Sequence, residues 1–134
     1  MQIYLSAPLF SEGELAFNEK IAKGLREAGF EVWMAQEELF IKEPTKEEKT
    51  TIYKNDIRAL EKSEVVVAVL DGIDVECGVA FEIGYAAALG KPIIGLKTDC
   101  RTFSNVEDIN LIIEVPMKVI CKSVEGVIEA LNKI

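Results

Sequence analysis

Two short runs constrain this chain more than any other feature. Glu64 to Leu70 (EVVVAVL) and Pro92 to Lys97 (PIIGLK) are almost continuously apolar and rich in β-branched residues. A strand with one wet face alternates apolar and polar residues, whereas a strand covered on both faces does not. Both runs therefore predict central strands of a sheet sandwiched between helices. The segment joining them opens with a Gly/Asp-rich loop and continues as VAFEIGYAAAL, closed by Gly90 with Lys91 and Pro92 beyond it, the usual chemistry of a helix C-terminus.

The same alternation extends along the whole chain. Met1 to Ser6 is β-rich, and a helix is predicted from about Glu12 to Ala28, where Phe17, Ile21, Leu25 and Ala28 recur at helical spacing beside Leu15 and Ala22, with Gly29 ending it. Phe30 to Met34 reads as a second strand, and Gln36 to Pro44 as a loop or short helix. Lys46 to Lys62 is a helix with Ile52, Ile57, Ala59 and Leu60 inward. Asp99 to Asp108 is a polar loop, Asn110 to Val115 is ambiguous, Lys118 to Cys121 is a short strand and Val124 to Asn132 a last helix. Strand–helix alternation implies right-handed crossovers and a parallel sheet of about five strands, an α/β three-layer fold of flavodoxin-like order. With 134 residues and no linker or repeat, residues 1–134 are expected to form one domain.

In such sheets ligands bind beyond the carboxyl ends of the strands. That gathers the SAPLF turn, the loop after Met34 and the Asp71 to Gly78 loop around one crevice. Several chemistries are excluded there by residue type. Histidine is absent, so Ser-His-Asp and Cys-His nucleophile systems and imidazole metal sites cannot be built. Acid–base work falls to carboxylates, tyrosines or lysines. After the first strand stands SAPLFSEG, with neither GxGxxG nor GxxxxGK[ST], so a dinucleotide or P-loop nucleotide is not expected. Asp71 could serve a phosphoacceptor domain of this topology, but such domains carry an acidic pair after the first strand, where Ser6 and Ala7 stand.

A net charge of −8 gives no general attraction to a nucleic acid polymer or an anionic membrane, and points to a small-molecule partner. Cys77, Cys100 and Cys121 lack metal-ligand spacing and read as buried small residues. With no membrane span or signal sequence read at the start, a cytoplasmic location is expected.

The informative segment is DGIDVECGVAFEIGY, Asp71 to Tyr85, with four acids within twelve residues around a helix start. Glu82 lies in the first turn and a half of the predicted helix, where the macrodipole favours an ionised carboxylate. A carboxylate held charged beside Phe81 and Ile83 can act as a nucleophile at the border of a partly dry site. Alternatively it only satisfies helix N-terminal amides.

IYLSAPLFS (Ile3 to Ser11), Asp56 in KNDI, LDGIDVECGVAFEIGYAAALGKP (Leu70 to Pro92) and INL (Ile109 to Leu111) together resemble the nucleoside 2-deoxyribosyltransferase family, in order and over most of the chain. The resemblance implies exchange of the base of a 2′-deoxynucleoside through a covalent 2-deoxyribosyl-glutamate, with no cofactor and no metal. It puts the nucleophile at Glu82, the phenol that orients it at Tyr4, and the proton donor to the departing base at Asp56. It puts the group that holds the sugar hydroxyls at Glu76, with Asp74 close enough to compete, since aspartate is the usual type there. It places at Asn110 an amide that reaches a neighbouring subunit's sugar 5′-hydroxyl, and so implies a homo-oligomer built on dimers. The partners are then 2′-deoxynucleosides and free nucleobases. Ala7 and Val79 depart from the family's usual glycine and threonine.

The residue types suit that chemistry. Base departure from C1′ passes through an oxocarbenium-like state, which asks for one carboxylate at C1′ and one acid at the leaving nitrogen. Gln36 and Glu37, after the second strand, are candidates to read base edges, and Trp33 reads as core. Two other readings share the fold. A 2′-deoxynucleoside 5′-monophosphate N-glycosidase would need phosphate donors in the first loop, where Ser6 and Ser11 offer hydroxyls but no arginine stands. A non-catalytic nucleotide-binding module would have no use for Tyr4, Asp56 and Glu82 as a set.

Overall fold

The computed structural model describes residues 1–38 and 42–134. Its elements are β1 Gln2–Ser6, α1 Glu12–Glu27, β2 Glu31–Met34, α2 Lys46–Lys62, β3 Val65–Val69, α3 Cys77–Ala88, β4 Ile93–Leu96, α4 Leu111–Glu114, β5 Val119–Cys121 and α5 Val124–Leu131. Among the described residues the strands form one all-parallel sheet in the order β2-β1-β3-β4-β5, which is the flavodoxin-like order expected from the sequence. Among the described residues no helix is long and apolar enough to cross a membrane.

Period-two alternation divides the strand side chains between two cores. Ile3, Leu5, Val65, Val67 and Val69 pack with Ile21, Ala22 and Leu25 of α1 and with Val127 and Leu131 of α5. Tyr4, Val66, Ala68 and Leu70 face the other way, onto Leu60 of α2 and Val79, Ile83 and Ala86 of α3. All five residues of β3 are buried, which explains the unbroken apolar run. Full burial of such a Val, Leu or Ile side chain contributes about 1.5–3 kcal/mol.

Local signals fix the helix ends. Ser11 and Glu14 cap α1 reciprocally, as Thr45 and Glu48 cap α2. Gly29 leaves α1 at φ +91°, a backbone position that glycine occupies without a Cβ penalty.

Three expectations need correction. α3 begins at Cys77 rather than Val79, because Glu76 accepts the amides of Gly78 and Val79 and nucleates the first turn. Ile52 does not face inward; only Leu60 of α2 is buried, since this helix touches the sheet mainly through its last turns. Cys77 and Cys100 are exposed, and only Cys121 is buried. The ambiguous stretch is a single helical turn, α4, capped by Asn110. Of the predicted loop after β2, Ala35–Glu37 form a 3₁₀ turn, and residues 39–41 lie outside the described residues.

Candidate active site

The chain reverses its winding direction between β1 and β3: β2 lies to one side of β1, and β3, β4 and β5 lie to the other. At such a switch point the connections leave the strand ends in opposite directions and open a crevice. Tyr4 and Ser6 sit two residues apart on β1, so both project from the same face toward that crevice. Tyr4 is buried, and its ring stacks on Trp33, its register partner on β2, at a centroid distance of 4.8 Å. The residue opposite Ser6 on β3 is Ala68, small enough to let a carboxylate from the helix layer descend to the strand end.

That carboxylate is Glu82. On α3 it stands between Val79 and Ala86 and next to Ile83, so it occupies a slot in the buried stripe of the helix. Tyr4 OH donates to Oε1 at 2.6 Å and Ser6 Oγ donates to Oε2 at 2.5 Å. Burial pushes the Glu82 carboxyl upward. The hydroxyls of Ser6 and Tyr4 oppose that push, the Glu76 charge adds to it, and the net position is above the usual range. The Tyr4 phenol is driven far above its ordinary value by burial and then by Glu82, and so remains a donor at any working pH.

The helix-start account of Glu82 is thereby corrected. With α3 beginning at Cys77, Glu82 is beyond the first turn, where the macrodipole has faded. The free amides are satisfied by Glu76 instead. What steadies the Glu82 carboxylate is a pair of hydroxyls from a neighbouring strand.

Asp56 comes from the middle of α2 and is half-buried. Desolvation, and then the charges of Glu82 and Glu38, push its carboxyl up to about 6. Among the described residues it accepts no hydrogen bond, so nothing local holds it ionised. A carboxyl of this kind holds its proton well above the usual carboxylate range beside an acidic neighbour, the arrangement that separates acid and base roles in a carboxylate pair.

Glu76 works as the cap of α3. Burial pushes its carboxyl up, but hydrogen bonds from Cys77 Sγ and the amides of Gly78 and Val79 outweigh this and hold it below the usual range. Asp74 is exposed on the wall of a cleft of about 330 Å³, which Val75, Cys77, Phe103 and Asn110 also line. Asn110 Oδ1 accepts the Ile112 amide at 3.1 Å, so this side chain caps its own short helix. Gln36 is held by α1: its Oε1 accepts from Asn18 at 2.8 Å and its Nε2 donates to Leu15 O. Glu37 is paired with Arg26 at 2.7 Å. Neither Gln36 nor Glu37 contacts the Glu82 carboxylate, because the turn after β2 leans on α1.

The loop carrying the acids is anchored to β4. Asp71 accepts from the Thr98 amide and hydroxyl, both at 2.6 Å, which is a structural use of the strand-end aspartate. Gly72, at φ +126°, donates its amide to Asp99, and a Cβ there would lie 2.8 Å from the Asp74 carbonyl oxygen. The fully buried Lys97 bonds Asp99 at 2.6 Å and reaches the Gly72 carbonyl. Sequence reasoning placed no role on Lys97 or Asp99, whose connection to Gly72 spans 25 residues or more. It also missed Ser6 as a partner of Glu82. Its position two residues after Tyr4 on one strand was the available signal.

Among the described residues no group of three or more His, Cys, Asp or Glu side chains converges in a way that could hold a metal ion.

The sequence profile of the family described as nucleoside 2-deoxyribosyltransferase matches residues 3–125. A protein of Thermofilum pendens, provisionally named a 2′-deoxynucleoside 5′-phosphate N-hydrolase, is 33% identical over 100 residues, which is 72% of this chain and 67% of that one. Among solved structures, a 2-deoxyribosyltransferase from Bacillus psychrosaccharolyticus superposes with a TM-score of 0.82 at 25% identity, covering 95% of this chain and 90% of the other. A conserved protein from Enterococcus faecalis V583 superposes with a TM-score of 0.83 at 25% identity, covering 98% and 97%.

Proposed function

This chain belongs to the nucleoside 2-deoxyribosyltransferase family, and from that premise we propose that it cleaves the N-glycosidic bond of 2′-deoxynucleosides through a covalent 2-deoxyribosyl-Glu82 and passes the sugar to another nucleobase. The observation that carries the reading is the Glu82 carboxylate, gripped by Tyr4 and Ser6, with Asp56, its carboxyl raised to about 6, close enough to feel its charge.

In the first half, a Glu82 oxygen forms a bond to C1′ while the C1′–N bond breaks, and Asp56 gives its proton to the departing base nitrogen. In the second, Asp56 takes a proton from the incoming base, whose nitrogen bonds to C1′ as the ester C1′–O bond breaks. Two inversions leave the configuration at C1′ retained. Water in place of the second base gives hydrolysis. Glu76 or Asp74 binds the sugar hydroxyls in this reading. Asn110 from a neighbouring copy closes the pocket over the 5′-hydroxyl, which implies a homo-oligomer built on dimers.

The Thermofilum relative supports a second reading, hydrolysis of deoxynucleoside 5′-monophosphates. The first loop weighs against it. The Ser6 hydroxyl is committed to Glu82 and the Ser11 hydroxyl to the Glu14 amide, while the Glu14 carboxylate already occupies the Phe10 and Ser11 amides, both at 2.8 Å. A negative side chain on the loop's own donors disfavours a phosphate there.

The experiment is incubation with deoxyinosine or thymidine, with and without free adenine, and in parallel with the corresponding monophosphates. Base exchange on the nucleosides and a sugar adduct on Glu82 by intact mass spectrometry are expected, both lost in Glu82→Ala. Turnover of monophosphates alone, releasing deoxyribose 5-phosphate, would establish the second reading. An active Glu82→Ala enzyme sinks the covalent mechanism in either form.

A further inference from the structure

A carboxylate presents two oxygens, and its terminal torsion is broad, so one hydrogen bond leaves its plane free to swing. Glu82 is different: each oxygen meets its own hydroxyl, Oε1 with Tyr4 at 2.6 Å and Oε2 with Ser6 at 2.5 Å. Both donors stand on one strand that is paired on both sides, β1 between β2 and β3. Ser6 is fully buried, so bulk water cannot take its place. The titratable groups facing the carboxylate are Tyr4 from β1, Asp56 from α2 and Glu76 from the start of α3.

We infer that Ser6 is a positioning residue for the nucleophile, which fixes the plane of the Glu82 carboxylate together with Tyr4 and stabilises it as it leaves C1′ in the second half of the reaction. The inference rests on the covalent-sugar reading proposed above. In the glycosyl-enzyme one Glu82 oxygen is bonded to C1′ and the other is a carbonyl, so the pair carries no net charge. When the acceptor nitrogen bonds to C1′ and the ester bond breaks, that bond's electron pair returns to Glu82. The negative charge then spreads over both oxygens. A hydroxyl contributes more to the forming carboxylate than to the neutral ester, because charge-assisted hydrogen bonds are about twice as strong as neutral ones. Ser6 therefore lowers the barrier to release of the sugar more than the barrier to its capture.

Ser6→Ala removes one oxygen from a buried strand position and leaves the backbone pairing in place. Turnover with deoxyinosine and adenine is expected to fall roughly tenfold, the loss of one charge-assisted donor at the transition state. Release of the first base should fall less, so kcat drops more than kcat/KM. A burst of hypoxanthine should precede the slow phase, and intact mass spectrometry at steady state should show a larger sugar-bound fraction than in wild type. A merely structural role moves none of these. Independently of any substrate, the ¹³C-detected titration of the Glu82 carboxyl should move upward in Ser6→Ala, since burial is then opposed by Tyr4 alone.

A Ser6→Ala enzyme with wild-type kcat, no extra adduct and an unmoved Glu82 titration overturns the inference, while an inert Glu82→Ala variant leaves the proposed function standing. If Glu82→Ala turns over, the covalent reading and with it the release role fall. The carboxyl titration then decides by itself whether Ser6 holds Glu82.

Discussion

Replacing Asp56 by asparagine separates what this carboxyl does for catalysis from what it costs the fold. In the native protein its carboxyl is raised from 3.8 to about 6 by burial and by the charges of Glu82 and Glu38. Two units correspond to about 3 kcal/mol for a fully buried group. Asp56 is only half-buried, so solvent screening reduces the figure to about 1 kcal/mol. The sign is set by proton binding. Between about pH 4 and pH 6 the native state holds the proton and the unfolded chain does not, so stability falls as pH rises through that window and the deficit is complete above it. Asparagine is nearly isosteric and has no charge to desolvate. Asp56→Asn should match wild type near pH 4 and exceed it by about 1 kcal/mol at pH 7, a rise of about 4 °C in Tm. Glu82 is present in both proteins, and its repulsion of an ionised Asp56 is part of the Asp56 shift and is relieved in the variant. Urea or thermal melts of the two proteins from pH 4 to 8 measure it. The same variant should lose at least about 100-fold on a natural deoxynucleoside, and far less on a p-nitrophenyl deoxyriboside, whose leaving group needs no proton. A variant equal to or less stable than wild type at pH 7, or a difference that does not grow with pH, refutes the desolvated-acid account of Asp56.

Two further outcomes test the frame around the site. Gly95→Ala puts a Cβ at 2.7 Å from Leu70 Cδ1 and 2.8 Å from Met117 Sδ, inside a filled core; overpacking should cost about 1–3 kcal/mol, readable as a shift in the urea midpoint, and an unshifted midpoint contradicts the tight packing of β4 against Leu70, Met117 and Ile120. If Asn110 acts across a subunit boundary, Asn110→Ala and Glu82→Ala homomers are both impaired. Mixing and reassembling them restores part of the activity, whereas no recovery after verified subunit exchange, or a fully active monomer on sizing, refutes the shared site.

Much of the architecture follows from the sequence alone because its causes are local. Unbroken apolar runs at residues 64–70 and 92–97 require strands covered on both faces, and helical spacing with Gly29 and Gly90 marks where helices stop. Parallel strands joined by helices then leave few topologies, and the one formed is among them. The pairing of Glu82 with Tyr4 was legible only through resemblance to a family, since 78 positions separate the two residues. Other features were decided by the tertiary fold. Residue spacing could not reveal that Glu76 rather than Glu82 satisfies the α3 amides or that Gln36 and Glu37 are held by α1, and for Ser6 it showed only a face shared with Tyr4, not the second carboxylate oxygen that Ser6 meets. Nor could it show that Lys97 and Asp99 pin the acidic loop. Periodicity reports which face of an element is buried. Which hydrogen-bonding groups meet across the sheet ends depends on the register of β1 against β2 and β3 and on how far α3 settles onto Ala68, and both are set by packing of the whole core.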